Sequence, residues 1–334
     1  MKGTLSLMSR TPRSNHAPAP DPAPDPGTAP EPQPDLDGRV FVVTGAASGL
    51  GLATTDALAR RGARVVLAVR DEDKGRRAAD RVRAAHRAAR LEVRRLDLGD
   101  PSSVHAFAAR LRADGLHPDV LVNNAGVMAP PRTLTPHGHE LQFAVNHLGH
   151  FALTAHLIDL LAQGRDPRVV TVTSANHRRA RIDFDDLTGE RAYSPMGHYN
   201  QSKLANALFA LELHRRLSAA DSPVRSVLAH PGYAATALPR AGAVAPVRLL
   251  FGHLLRPLAQ SPARGALAQL HAATAPGVRG GELYGPGGPG ELRGAPVPTS
   301  PAPRAQDPRA GRRLWEVSQE LTGLRFTVPG ADGP

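Results

Sequence analysis

Short runs of Val, Leu and Ala without polar alternation recur along the chain, at Arg39–Val43, Arg64–Val69, Leu91–Leu96, Val120–Val122, Arg168–Thr173, Val224–Ala229 and Glu282–Tyr284. Such runs suit strands buried on both faces. Segments of about 10 to 25 residues separate them, many with the three-and-four apolar spacing of packed helices. One example is the segment after Tyr199, where Leu204, Leu208 and Leu211 form a stripe. Alternation of this kind predicts an α/β fold: a doubly wound, mostly seven-stranded parallel sheet with helices on both faces. No internal repeat is visible.

The same pattern sets the domain boundaries. Residues 1–35 carry nine prolines between Pro12 and Pro34 and few apolar side chains, so a disordered proline-rich arm is expected there. Residues 36–325 read as a single domain, and 326–334 as a flexible tail. A second proline- and glycine-rich stretch runs from Gly285 to Pro308. A short amphipathic helix, Arg312–Leu321, follows it, with Leu314, Val317 and Leu321 on one side. Ala243–Leu258 is rich in large apolar residues and reads as a lid over an apolar substrate or as an interface helix.

Composition narrows the function. With 334 residues and 41% hydrophobic content the chain can bury a large core. It has no cysteine, which excludes disulfides, thiol nucleophiles and thiolate metal sites. No run of 18 apolar residues suggests a membrane span, and no basic-then-apolar leader is visible, so a soluble cytoplasmic protein is expected. The net charge of +11 invites a nucleic-acid reading, but aromatic residues make up only 4% of the chain. The arginines are also scattered rather than clustered, so no nucleic-acid partner is expected.

Lysine use carries more information than charge. Of 41 basic residues only Lys2, Lys74 and Lys203 are lysine. Lys203 stands four residues after Tyr199, so on a helix the ammonium and the phenol share a face. A nearby positive charge favours the phenolate, which would make Tyr199 a usable proton donor and acceptor. The first apolar run feeds directly into Thr44-Gly45-Ala46-Ala47-Ser48-Gly49-Leu50-Gly51, ahead of a helix. This strand–loop–helix setting suits a dinucleotide's phosphates, held by Gly45, Ser48, Gly49, Leu50 and Gly51, in a Rossmann-type domain. The spacing is G-x-x-x-G-x-G, not the general G-x-G-x-x-G. Where a ribose-binding carboxylate would close the second strand, the chain has Val69 and then Arg70, which favours NADP(H) over NAD(H). Arg70 paired with Asp71 or Asp73 is the alternative. Asp97 and Leu98 end the third strand, beside an adenine site. Asn124, Ala125 and Gly126 follow the fourth strand, where ligands bind.

In order and spacing these motifs resemble the short-chain dehydrogenase/reductase family over about residues 36 to 325. The segments Val69-Arg70-Asp71, Gly126-Val127-Met128, Val145 to Phe151 and Tyr199 to Ala205 look closest to the retinol dehydrogenase, WW-domain oxidoreductase and protochlorophyllide reductase-like branch, in its bacterial members. The resemblance implies four catalytic residues. Tyr199 would be the general acid or base, and Lys203 would bind the nicotinamide ribose. Ser174 would hold the substrate oxygen, and Asn146 would organise water towards the lysine. It also implies that Pro231, Gly232 and Thr236 cover the nicotinamide end, and that Tyr199 and Lys203 touch the cofactor. The substrate would be a small, fairly apolar carbonyl or alcohol. His147 and His150 have no acidic partner at ligand spacing, so no metal is expected and both read as packed, hydrogen-bonded histidines. Thr173 stands where close relatives often carry serine, and the branch's membrane anchor has no counterpart. A redox-sensing or interaction protein that binds NADP(H) without turnover is the alternative function, and homo-oligomerisation stays open.

Overall fold

A computed structural model describes residues 35–233, 244 and 260–330. Eight strands form one sheet: β1 Val40–Thr44, β2 Arg64–Val69, β3 Arg90–Arg95, β4 Val120–Asn123, β5 Arg168–Val172, β6 Arg225–Ala229, β7 Leu283–Pro286 and β8 Pro296–Thr299. Their order is β3-β2-β1-β4-β5-β6-β7-β8, and all pairs are parallel except β7 with β8. The seven expected parallel strands are all present. Val65 to Val69 and all of β4 and β5 are buried, as continuous apolar runs require when helices cover both faces.

The eighth strand lies within the stretch from Gly285 to Pro308, where the sequence showed no strand signal. Its residues Pro296 and Pro298 pair with Pro286 and Tyr284. Proline has no N–H to give a second neighbour, so it is tolerated at the sheet's edge, where no further strand needs one. That edge position explains both the strand and its invisibility in the pattern.

Helices α1 Gly49–Arg60, α2 Glu72–Ala85, α3 Pro101–Ala113, α4 Leu141–Phe143, α5 Gly149–Ala162 and α6 Pro195–Ala219 connect the first six strands. Their starts are fixed by side chains: Asp71 accepts from Lys74 N, Asp100 from Ser102 N and Ser194 from Gly197 N. Between α4 and α5 the helix widens into a π-turn, Ala144–Leu148. Among the described residues, no helix is long and apolar enough to cross a membrane.

Two apolar layers sandwich the sheet. One joins α3, α5 and α6 through Phe107, Phe151, Phe209 and Trp315. The other joins α1, α2 and the helix Leu267–Thr274. Trp315 belongs to the terminal helix, Pro308–Thr322, which is longer than the sequence pattern suggested and ends at Gly323 in a left-handed conformation. The chain does not come free at residue 326, as expected. Phe326 is buried against Trp315 and Phe151, and its N–H donates to Gln319 Oε1 at 2.9 Å. One aromatic side chain in a core gap anchors the segment, a signal too small to register in composition. The apolar run Ala243–Leu258, Thr236 and the arm before residue 35 lie outside the described residues, apart from Val244.

Candidate active site

Strand order places the site. β1 lies between β2 and β4, so the chain leaves neighbouring strands β1 and β4 in diverging directions and a crevice opens at their carboxyl ends. Its lining includes Thr44, Gly45, Ser48 to Gly51, Arg70, Lys74, Asp97, Leu98 and Asn124 to Val127. Gly45 and Gly49 have φ values of 66° and 56°, which favour glycine. A Cβ on Gly51 would stand 2.5 Å from the Gly45 carbonyl oxygen and 2.7 Å from Asn124 Nδ2. Backbone therefore forms this wall because no side chain fits. Ser48 caps α1 without a side-chain bond, which leaves the first N–H groups of α1 facing the crevice, as an anion site requires.

Thr44 ties the two loops together. Its hydroxyl accepts from Asn124 N and Ala125 N, each at 2.9 Å, and lies 2.9 Å from His150 Nε2. His150 Nδ1 lies 3.0 Å from the Asn146 carbonyl, so it carries the proton, and the Thr44 hydroxyl donates to Nε2. Burial lowers the His150 pKa to about 4, consistent with this neutral ring. His147 is equally buried, with Nε2 2.7 Å from Ser318 Oγ and its pKa lowered to about 3 by burial. Both are packed, hydrogen-bonded histidines. Among the described residues no group of three potential metal ligands occurs.

At the outer end, Arg70 is exposed on the crevice wall and free of the partners the sequence offered. Asp73 pairs instead with Arg76 at 2.7 Å, and Asp71 is occupied in capping α2. Lys74 lines the same wall. Sequence reasoning missed it as a site residue, although its rarity as a lysine was the available signal. Asp97 Oδ1 accepts from Gly99 N at 3.0 Å, while Asp100 takes the helix cap, so the two carboxylates of that corner have separate tasks.

At the inner end the π-turn presents Asn146. Its Oδ1 accepts from Val127 N at 2.8 Å, and its Nδ2 donates to Val127 O at 3.0 Å and to Ser202 Oγ at 2.9 Å. A poor helix former thus sits where the helix is already widened and its side chain braces the loop after β4. Lys203 is fully buried and donates to the Val172 carbonyl at 3.1 Å. Its ammonium is 5.9 Å from the centre of the Tyr199 ring. Burial lowers the Lys203 pKa to about 8 and raises that of Tyr199 to about 12, the latter opposed by a hydrogen bond with Ser174. The tyrosine therefore shifts in the direction opposite to that expected from its spacing to Lys203. Loss of solvation outweighs a charge that is held on a carbonyl rather than on the phenol. Met128, Ala129 and Met196 pack around Tyr199.

The structure brings Asn146, Ser174, Tyr199 and Lys203 together at the inner end, and Gly126 connects them to the crevice. A Cβ there would be 3.1 Å from Asn146 Oδ1 and 3.7 Å from Lys203 Nζ. Pro231 and Gly232 do not line the crevice; they pack against the β7–β8 hairpin, with Pro231 O accepting from Gln260 Nε2 at 2.6 Å.

The chain is similar to known proteins in sequence and fold. The family model described as short chain dehydrogenase matches residues 39–242. The mouse (Mus musculus) polyprenol dehydrogenase is 44% identical over 298 residues, covering 87% of this chain and 85% of that protein. Human (Homo sapiens) retinol dehydrogenase 12 is 39% identical over 293 residues, covering 87% and 88%. A crystal structure of an uncharacterized protein from Mycobacterium paratuberculosis superposes with a TM-score of 0.72 at 42% identity, covering 89% of this chain and 97% of that one.

Replacing Thr44 with Val keeps its shape and removes the acceptor of Ala125 N, while Asn124 N keeps a second acceptor in Val122 O at 2.9 Å. We expect a loss of stability on the order of 1–3 kcal/mol for the one orphaned N–H, measured as a lower denaturant midpoint at unchanged slope.

Proposed function

The chain belongs to the short-chain dehydrogenase family and is a nicotinamide-dependent oxidoreductase acting on CH–OH or C=O groups; on that premise we propose that it uses NADP(H), with Tyr199 as general acid and base, on a fairly apolar substrate. The observation that carries this reading is the group of half-buried Ser174 with buried Tyr199 and Lys203 at one end of a glycine-walled crevice, with the Arg70 and Lys74 side chains at the other.

The crevice suits the coenzyme along its length. Gly45, Ser48, Gly49, Leu50 and Gly51 would cradle the diphosphate, with the N-terminus of α1 meeting its charge. Asp97 and Leu98 would border the adenine, and Asn124, Ala125 and Gly126 the adjoining part of the cleft. Arg70 and Lys74, on either side of the start of α2, would hold a 2′-phosphate by charge-assisted hydrogen bonds. Lys203 would bind ribose hydroxyls; a contact of Pro231, Gly232 and Thr236 with the nicotinamide end rests on the family resemblance alone. When bound, the coenzyme supplies or accepts the hydride.

Proton transfer falls to the protein. In reduction Tyr199 Oη holds a proton and gives it to the carbonyl oxygen, while Ser174 Oγ fixes that oxygen in place. In oxidation the phenolate takes the alcohol proton. A phenol raised to about 12 holds its proton firmly, so oxidation needs additional positive charge nearby, whereas reduction does not. Met128, Ala129 and Met196 give the reacting end an apolar wall. That wall suits apolar alcohols such as those in the names of the polyprenol and retinol dehydrogenase relatives.

Turnover is tested by following NADPH absorbance with retinal, a short polyprenal and simple ketones. Oxidation of NADPH with an apolar aldehyde is expected. No turnover of any carbonyl, with the coenzyme demonstrably bound, would count against the reading. Tyr199→Phe should bind NADPH and lose turnover. Lys203→Arg should fold and lose most of kcat, because a planar guanidinium cannot occupy the site of a compact ammonium.

Cofactor choice is tested separately. Arg70→Gln and Lys74→Gln should each weaken NADPH by roughly 1.5–3 kcal/mol, and leave NADH little changed. Equal losses for both coenzymes would refute the assignment.

A further inference from the structure

The β7–β8 hairpin carries a carboxylate that touches two loops from distant parts of the chain. Glu291, at the hairpin tip, receives Arg178 Nη2 at 2.8 Å on Oε1 and 2.9 Å on Oε2. Its Oε2 also lies 2.8 Å from His230 Nε2. Arg178 belongs to the short 3₁₀ helix Ala175–Arg179, which Ser174 begins. His230 follows β6 and immediately precedes Pro231 and Gly232.

The rest of the hairpin fits the same surfaces. Tyr233 N donates to Leu292 O at 2.9 Å. Gly232, at a φ of 63°, has no room for a side chain, since a Cβ would stand 2.5 Å from Leu292 O and 2.9 Å from Glu291 O. A side chain at Gly285 would overlap the His230 ring. On the Ser174 side, His177 Nδ1 donates to Ser174 O at 2.6 Å, and His177 Nε2 accepts from Ala302 N, just beyond β8, at 3.0 Å. Gly290 and Glu291 both have positive φ, 63° and 56°. A non-glycine residue holds such a conformation when its surroundings over-determine it. His230 is fully buried, and Gly232 N donates to its Nδ1 at 3.3 Å, so its Nε2 faces the carboxylate at 2.8 Å as a close polar contact that lacks hydrogen-bond alignment. Burial holds its pKa down to about 4, with Glu291 opposing, so the ring stays neutral in this contact.

We propose that Glu291 is a positioning residue: it locks the Ser174 turn to the Pro231–Gly232 loop, so that the group holding the substrate oxygen and the loop at the nicotinamide end are set by one clasp. It touches no reacting atom and acts through Arg178 and His230. The role in turnover rests on the function proposed above; the mechanical link does not.

The test is Glu291→Gln in the full chain, read by hydrogen exchange and by steady-state kinetics. Exchange should rise in Ala175–Arg179 and in Pro231–Tyr233 together, with the strands unchanged. KM for the carbonyl should rise about five-fold or more while kcat stays within about two-fold, the split expected when a contact made equally in the ground and transition states is weakened. Arg178→Gln, at an exposed position, should loosen Ala175–Arg179 and leave Pro231–Tyr233 protected, because His230 keeps its carboxylate. It carries the same test if Glu291→Gln does not fold. Loosening of one segment or neither in Glu291→Gln would overturn the proposal, as would a uniform rise across the domain. So would an Arg178→Gln that leaves Ala175–Arg179 as protected as in the parent. A parent chain without turnover would defeat the proposed function, while the exchange result would still decide the clasp.

Discussion

A buried ammonium governs the architecture around the inner end of the crevice. Lys203 is removed from water, and a charge so placed needs polar partners from the fold. Its partner is the Val172 carbonyl, the last of β5, at 3.1 Å, and Asn206 donates to the same oxygen at 3.1 Å. The neighbouring Thr173 hydroxyl donates to the Lys203 carbonyl at 2.7 Å. The end of a central strand and the middle of α6 are therefore stitched in one register, which sets Ser174 opposite Tyr199. Thr173 contributes through its hydroxyl, which a serine would supply equally.

The crevice depends on a second set of stitches. Thr44 takes both N–H groups of the turn after β4, and His150 passes the connection on to the Asn146 carbonyl. Asn146 then grips Val127 on both its N–H and its carbonyl. Glycine loop, asparagine turn and π-turn thus form one polar unit in which the side-chain donors of Asn146 and His150 meet backbone carbonyls and Thr44 meets the His150 ring. Such networks rigidify a site when complete and are costly when broken.

Much of this was legible in the sequence because it depends on local pattern. Buried parallel strands read as apolar runs, and the glycines sit where backbone must approach backbone. The pairing of Tyr199 with Lys203 follows from helical spacing. What stayed hidden depends on distant contacts or on environment. Pro296 and Pro298 argue against a strand until the strand is known to be an edge. Phe326 looks like tail until Trp315 is seen beneath it. Lys74 was visible as a rare lysine, but only the turn from β2 into α2 places it beside Arg70. The direction of the Tyr199 shift could not be read from spacing at all, because burial, not the neighbouring charge, sets it.

Burial holds the Tyr199 phenol protonated, and a bound, positively charged nicotinamide is expected to make it ionisable. Carbon-13 NMR of ring-labelled tyrosine, with Tyr199 assigned from Tyr199→Phe, measures this directly. Without coenzyme the signal should remain that of the neutral phenol through pH 10, in keeping with a pKa raised to about 12. With NADP+ bound it should begin to ionise within the same range. A phenol already half-ionised at or below its ordinary value of ~10 in the free protein, or one that NADP+ leaves unmoved, would contradict the account.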